Sequence, residues 1–273
     1  IAQRGGSVRL GSLNEFMRHY GISDRLERNT EFRQVQDGWL QSTQVGRRSY
    51  YILSEEGSIR FAQATQKIYG EPERNWDGTW NLVLLDTMDA ELREQLRKEL
   101  GWLGYGALAK GVLAHPAPDM RDVDAVLDKL GVADDVVIMT GQTVRNDAGM
   151  KALSRSSWNL EDIDERYAAF VKRFRPLMAA YAKTTEIEPQ AAFLVRTLLI
   201  QEYRKVLLRD PQLPAELLPT NWHGNAAYQL CRNLYRAVYR QADRYLSEIM
   251  ETADGPLPPS DKSFYERFGG LKK

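Results

Sequence analysis

Six segments of alternating periodicity between residues 76 and 144 constrain this chain more than any other feature. Trp80 to Leu85 is a nearly continuous apolar run, the pattern of a buried strand. Asp89 stands where a helix N-cap belongs, and Leu92, Leu96 and Leu100 follow at helical spacing until Gly101. Tyr105–Leu108 and Gly111–Ala114 read as two short strands joined by a tight turn at Ala109-Lys110. Beyond Pro116 and Pro118, Val123, Val126, Leu127 and Leu130 mark a second helix, ended by Gly131. Val136–Met139 is the last strand. The order βαββαβ is that of a ferredoxin-like split βαβ domain.

The flanking blocks differ from it and from each other. Before Gly70, Ser12 occupies an N-cap position ahead of Leu13, Phe16, Met17 and Tyr20, and Gly21 stops that helix. A short turn leads to a more polar helix from Asp24 to about Asp37. Gly38-Trp39-Leu40 opens a strand, Gly46-Arg47-Arg48 turns it, and Ser49–Leu53 returns with β-type residues. Ser54 caps a further helix ending near Tyr69. Helix, turn, helix, hairpin is the order of a winged helix-turn-helix. After residue 150 the chain is almost wholly helical, over Leu160–Tyr181, Glu188–Leu208 and Asn225–Met250, with Pro211, Pro214 and Pro219 as breaks. The tail after Ala253, rich in Gly, Pro and Ser, reads as loose up to Phe264-Tyr265. The fold class is therefore α+β. It comprises a winged helix-turn-helix over 1–70, a ferredoxin-like domain over 71–150 and a helical domain over 151–273.

Composition narrows the function. Thirty-seven basic residues balance 37 acidic ones, so nothing draws the whole chain to nucleic acid or to an anionic membrane. Any DNA binding must come from a local basic surface, and residues 1–53 hold eight arginines against five acids. Cys231 is the one cysteine, which excludes an internal disulfide or a Cys-based zinc site and fits a reducing, cytoplasmic setting. No apolar run reaches the ~18 residues of a membrane span. The sequence starts at Ile1 without a methionine, and the expectation is that part of the first domain precedes it.

Catalytic signals are absent. His19, His115 and His223 lie in different blocks, none with a second His or a Cys at metal-ligand spacing. No phosphate loop, nucleophile elbow or dinucleotide fingerprint follows a strand. The one acidic candidate is Asp86, after the first ferredoxin-like strand, where small Cas2-type nucleases carry a metal-binding aspartate. Asp89 lies nearby, and helix capping is the structural alternative. Arg25, Arg28 and Arg33, with Asn29 and Thr30 between, give the second helix side chains that pair with phosphates and base edges. Arg47 and Arg48 stand at the hairpin tip, where a wing meets backbone phosphates or the minor groove.

Several strings together resemble the PaaX family of repressors. They are Gly38-Trp39-Leu40, Gly46-Arg47-Arg48-Ser49-Tyr50-Tyr51, Trp76-Asp77-Gly78-Thr79-Trp80 and Gly101-Trp102-Leu103-Gly104-Tyr105-Gly106. Gly111-Val112, Pro214-Ala215-Glu216-Leu217-Leu218-Pro219, Trp222 and Gly224 continue the series in the family's order through all three blocks. The resemblance implies a homodimeric winged-helix regulator of aromatic catabolism, with a Cas2-like middle domain. It further implies repression of phenylacetate-degradation genes, relieved by phenylacetyl-coenzyme A or a related acyl-CoA, with no cofactor, enzymatic activity or membrane contact. The expected DNA-binding set is Arg25, Arg28, Asn29, Thr30, Arg33, Arg47, Arg48 and Tyr50. A CoA thioester requires cations for its phosphates and an apolar slot for its acyl group. Trp102, Tyr105, Trp222 and His223 supply aromatic and polar groups for it, and Arg173, Arg196 and Arg204 the charges. One departure stands out: where the family's recognition helix carries apolar residues, this chain has Glu27, Glu31 and Gln34. Those changes admit a scaffold that has lost DNA binding as one alternative, and Asp86 admits a Cas2-like metal-dependent nuclease as another.

Overall fold

The computed structural model describes residues 4, 7–9, 11–12, 21, 33–46, 48–71, 76–85, 88–116, 119–145, 147–184, 186–253 and 255–271. The chain divides into two compact units, Ile1–Glu71 with Phe174–Arg204 and Gln229–Lys273, and Pro72–Arg173 with Lys205–Tyr228.

The second of these holds the ferredoxin-like sheet. Its strands are β4 (Thr79–Leu84), β5 (Gly106–Ala109), β6 (Val112–His115) and β7 (Val137–Gln142), in the spatial order β5-β6-β4-β7 with every neighbour antiparallel. Counted within the domain, the order is second, third, first, fourth, as a split βαβ requires. Helix α2 (Ala90–Trp102) starts where Asp89 Oδ1 accepts from the backbone N–H groups of Glu91 and Leu92. Helix α3 (Met120–Leu130) is capped by Asp119 and closed by a left-handed Gly131. Both helices turn their leucine and valine stripes onto one core. In it Val83, Leu96, Leu100, Val123 and Val132 are fully buried, with Leu85, Leu113 and Leu127 nearly so. A helix absent from the sequence reading, α4 (Asp147–Ser157), follows β7 and packs on β5. Trp158 continues from it, stacks on Trp80 at 6.2 Å and donates to Gly104 O at 2.7 Å. The Trp76–Trp80 string is the entry to β4: Asp77 Oδ1 accepts from Thr79 N, and Trp76 Nε1 donates to Thr79 O and Pro116 O.

In the other unit, β1 (Val8–Arg9), β2 (Leu40–Val45) and β3 (Arg48–Leu53) form an antiparallel sheet in the order β1-β3-β2. The strand at Val8-Arg9 is too short to announce itself in sequence. Helix α1 (Glu55–Tyr69) is capped by Ser54 as expected. Gly11 and Ser12 are already helical, so Ser12 is not the N-cap; the helix expected over 13–20 lies outside the described residues. Of the second expected helix, Arg33–Gln36 is helical, and Asp37 N donates to Arg33 O at 2.8 Å.

The long helices are α5 (Leu160–Tyr181), α6 (Pro189–Leu207) and α7 (His223–Ile249), each with residues in both units. Block 151–273 is therefore shared between the two. The tail also departs from expectation. It forms a short hairpin of β8 (Glu251–Thr252) and β9 (Gly255–Pro256), then a helical turn α8 (Lys262–Tyr265), with Leu257, Phe264 and Phe268 buried. Arg236 donates to Phe268 O and Gly270 O, and Arg267 lies 4.1 Å above the Tyr69 ring while donating to the Tyr235 hydroxyl. Single aromatic anchors, rather than a periodic stripe, hold this segment down.

Candidate nucleic-acid interface and effector residues

The hairpin β2–β3 is regular, with Val45 opposite Arg48 and Leu40 opposite Leu53. Its base is fixed to α1 by close backbone packing. Ser54 Oγ donates to Gly38 O and accepts from Gly57 N, and Ser54 N donates to Trp39 O at 3.1 Å. A Cβ on Gly57 would lie 2.2 Å from Trp39 O, so only glycine lets the Trp39 backbone cross the helix here. Arg60 covers the Trp39 ring at 5.1 Å. β2 presents Gln41, Ser42, Thr43 and Gln44 to solvent, all uncharged donors or acceptors, and Arg48 is exposed beside the turn. A groove of about 900 Å³ runs along β2, lined by Val35, Leu40, Ile59 and the acidic pair Glu55 and Glu56. Glu56 is paired with Arg60 and Glu55 is exposed, so the groove has no excess of positive charge, and the exposed Arg48 beside the turn is the described basic group of the hairpin.

Of the expected DNA-contact residues, Arg33 and Arg48 are described and both are exposed. Arg25, Arg28, Asn29, Thr30 and Arg47 lie outside the described residues. Tyr50 is a correction: it is 7 % exposed, opposite Thr43 and Arg9 in the middle strand, so its ring packs the sheet. Asp86 also lies outside the described residues, and Asp89 is committed to capping α2. Among the described residues no three His, Cys, Asp or Glu side chains gather to hold a metal. No helix among them is long and apolar enough to cross a membrane.

The seven expected effector residues are divided. Trp102, Tyr105, Arg173, Trp222 and His223 belong to the ferredoxin-containing unit, Arg196 and Arg204 to the other. Only Trp222 and His223 form part of one constellation, at the start of α7. Asp164 of α5 accepts from the His223 backbone N–H at 2.6 Å and holds His223 Nδ1 at 2.9 Å. One carboxylate thus satisfies an orphan helix donor and orients an imidazole whose side chain is 45 % exposed. Trp222 stands edge-on to Tyr167 at 5.6 Å, and Tyr167 OH donates to Asp210 Oδ2 at 2.7 Å. A Cβ on Gly224 would lie 2.2 Å from the Trp222 indole nitrogen, which explains the glycine two residues after the tryptophan. Asp164, Tyr167 and Asp210 escaped the sequence reading because they are remote from His223 in the chain and belong to no string.

Tyr105 and Arg196 are further corrections. Tyr105 is 6 % exposed, with its hydroxyl on Asn81 Oδ1 at 2.6 Å, and burial pushes its phenol well above the usual range. It is a core residue without a face for a ligand. Arg196 is largely but not fully buried, over the Phe193 ring at 5.3 Å and 3.9 Å from Asp243, and loss of water lowers its pKa despite that carboxylate. Trp102, by contrast, is 72 % exposed at the end of α2, and Arg173 and Arg204 are exposed.

Comparison with known proteins matches most of the chain in three separate pieces. Residues 1–57 match the model described as PaaX-like protein, 73–153 the PaaX protein central Cas2-like domain, and 158–248 the PaaX-like protein C-terminal domain. The chain is 38 % identical over 274 residues to the transcriptional repressor PaaX of Escherichia coli (strain K12), spanning 99 % of this chain and 87 % of that protein. The fold is also similar to that of the uncharacterized protein Rv0674 from Mycobacterium tuberculosis. There the TM-score is 0.52 at 23 % identity, over 87 % of this chain and 91 % of that one. With identity to the repressor sustained along nearly its full length, the chain belongs to the PaaX family.

Proposed function

We propose that this protein is a transcriptional repressor of aromatic, phenylacetate-type catabolism genes and has no enzymatic activity. It binds double-stranded promoter DNA as a homodimer in the cytoplasm, and an aryl-acetyl-CoA thioester such as phenylacetyl-CoA releases it. The observation that carries this reading is the 38 % identity to a transcriptional repressor, sustained over 99 % of the chain. The hairpin agrees with it: two regular strands end in a basic turn, fastened at the base to α1. In this reading residues 1–70 are a winged helix-turn-helix. Arg28, Asn29, Thr30 and Arg33, with Arg25, face the major groove, and Arg47 and Arg48 meet phosphates from the wing. The helical segment 151–273 serves effector response and dimerisation. Trp222 and His223 are the preferred effector contacts, because Asp164 pre-orients the imidazole on a half-exposed side chain; Trp102, Arg173 and Arg204 are the accessible remainder.

The wing assignment has a direct test. Replacing Arg47 and Arg48 by Ala removes two phosphate contacts, so affinity should fall on every DNA sequence alike. The slope of log K against log salt should flatten by about one to two. An unchanged salt slope, measured by titration at several salt concentrations, removes the hairpin from the interface.

A further inference from the structure

The sheet β5-β6-β4-β7 ends in two unlike edges. β5 is four residues long, its register with β6 slips between Ala107 and Ala109, and α4 packs against it. β7 is six residues long and keeps unbroken register with β4, from Thr79–Gln142 to Leu84–Val137. Among the described residues nothing pairs with its outer edge. From Val137 to Val144 the chain reads Val-Ile-Met-Thr-Gly-Gln-Thr-Val, eight residues without a charge in a protein whose composition is 27 % charged. Val137 is 51 % exposed, Met139 50 % and Val144 91 %. Soluble proteins block open edges with lysines, prolines, bulges, shortness or a covering helix. The β5 edge has three of these protections and β7 has none.

We propose that β7 pairs antiparallel with β7 of a second copy of this chain, with Thr140 facing Thr140 across a two-fold axis. Two four-stranded sheets then join into one. This rests on the dimeric reading above and gives that dimer its interface. The charges at the strand ends select both the occupant and the register. Asp134 and Asp135 form the exposed turn before β7, and the exposed Arg145 follows it. Parallel pairing would set like charge beside like. Antiparallel pairing about a two-fold axis makes the residue on the axis face its own copy. With Thr140 there, Met139 faces Gly141, Ile138 faces Gln142, Val136 faces Val144, and Asp135 stands opposite Arg145 at both ends. With Met139 on the axis, Arg145 would face Ala133 and the ion pairs would be lost. The pairing also extends the apolar stripe of Leu82, Leu84, Val137 and Met139, which share one face of the sheet through their β4–β7 partnerships.

The test uses the full-length protein without DNA, so it is independent of the repressor reading. In sedimentation equilibrium, Met139→Lys should raise the dimer dissociation constant about tenfold or more, a loss of about 1.4 kcal/mol or more. Circular dichroism should be unchanged, because the side chain is half exposed. Arg145→Asp should weaken the dimer, and the pair Asp135→Arg with Arg145→Asp should restore it. Register is read by oxidation: Thr140→Cys should give a covalent dimer. Gln142→Cys should not, since its two copies would sit four strand positions apart, about 13 Å and beyond disulfide reach. Cys231 is buried, and burial pushes its thiol up, so it stays silent. A wild-type dimer untouched by Met139→Lys, or crosslinked through residue 142 and not 140, overturns the interface alone. A monomeric wild type at cellular concentration overturns the interface and the dimeric reading together.

Discussion

At the residue scale, the same side-chain types do opposite work depending on what surrounds them. Tyr105 and Trp102 share one string, three positions apart. One hydroxyl is spent on Asn81 inside the domain, while the other ring faces solvent. Sequence alone cannot distinguish a phenol satisfied in the core from one waiting for a ligand, because its partner Asn81 sits on a different strand. Tyr105→Phe should therefore leave Asn81 with an unpaired buried oxygen and cost about 1–2 kcal/mol in urea denaturation. Effector response should not change. A variant as stable as wild type but deaf to effector would return Tyr105 to the binding site. His223 is the reverse case. Its string gave the position, but Asp164, which holds both its backbone N–H and its ring, lies 59 residues earlier and is legible only in three dimensions.

At the element scale, what was legible is what repeats. The βαββαβ order emerged from leucine and valine spacing, and Asp89, Gly131 and Ser54 marked helix ends through capping chemistry that acts within a few residues. The strand at Val8-Arg9, helix α4 and the tail were not legible. The first is two residues long, α4 carries a polar Lys-Ala-Leu-Ser-Arg-Ser-Ser run, and the tail depends on single rings such as Phe268 packing beside Tyr235. The hairpin-to-helix junction gives the sharpest element-scale prediction. Ser54→Ala loses one cap and should cost about 1 kcal/mol. Gly57→Ala should cost more, since its methyl would meet the Trp39 carbonyl at 2.2 Å and backbone must move. Its hairpin should tilt, with DNA affinity falling further than stability explains. Equal stability of Gly57→Ala and wild type in thermal unfolding would contradict this packing.

At the scale of the whole molecule, the balanced charge of the chain conceals a division of labour. No net field favours DNA, so in the proposed reading recognition is local, at the turn carrying Arg47 and Arg48 and on the helix that carries Arg33 and ends near Asp37. The family strings carried the functional reading further than any motif of chemistry did. The structure gives several of them structural tasks: the Trp76–Trp80 string enters β4, Trp39 backs onto Gly57, and Gly224 admits the Trp222 indole. In the proposed reading the effector contacts centre on Trp222 and His223 at the start of α7, with the exposed Trp102, Arg173 and Arg204 as further candidates. The repressor function is tested most directly by fluorescence-anisotropy titration of the full-length protein against DNA from its own promoter region, with and without phenylacetyl-CoA. A repressor of this kind should show tight, salt-sensitive binding that the thioester relieves and that free CoA or phenylacetate does not. Absence of sequence-selective binding under low-salt conditions would contradict it.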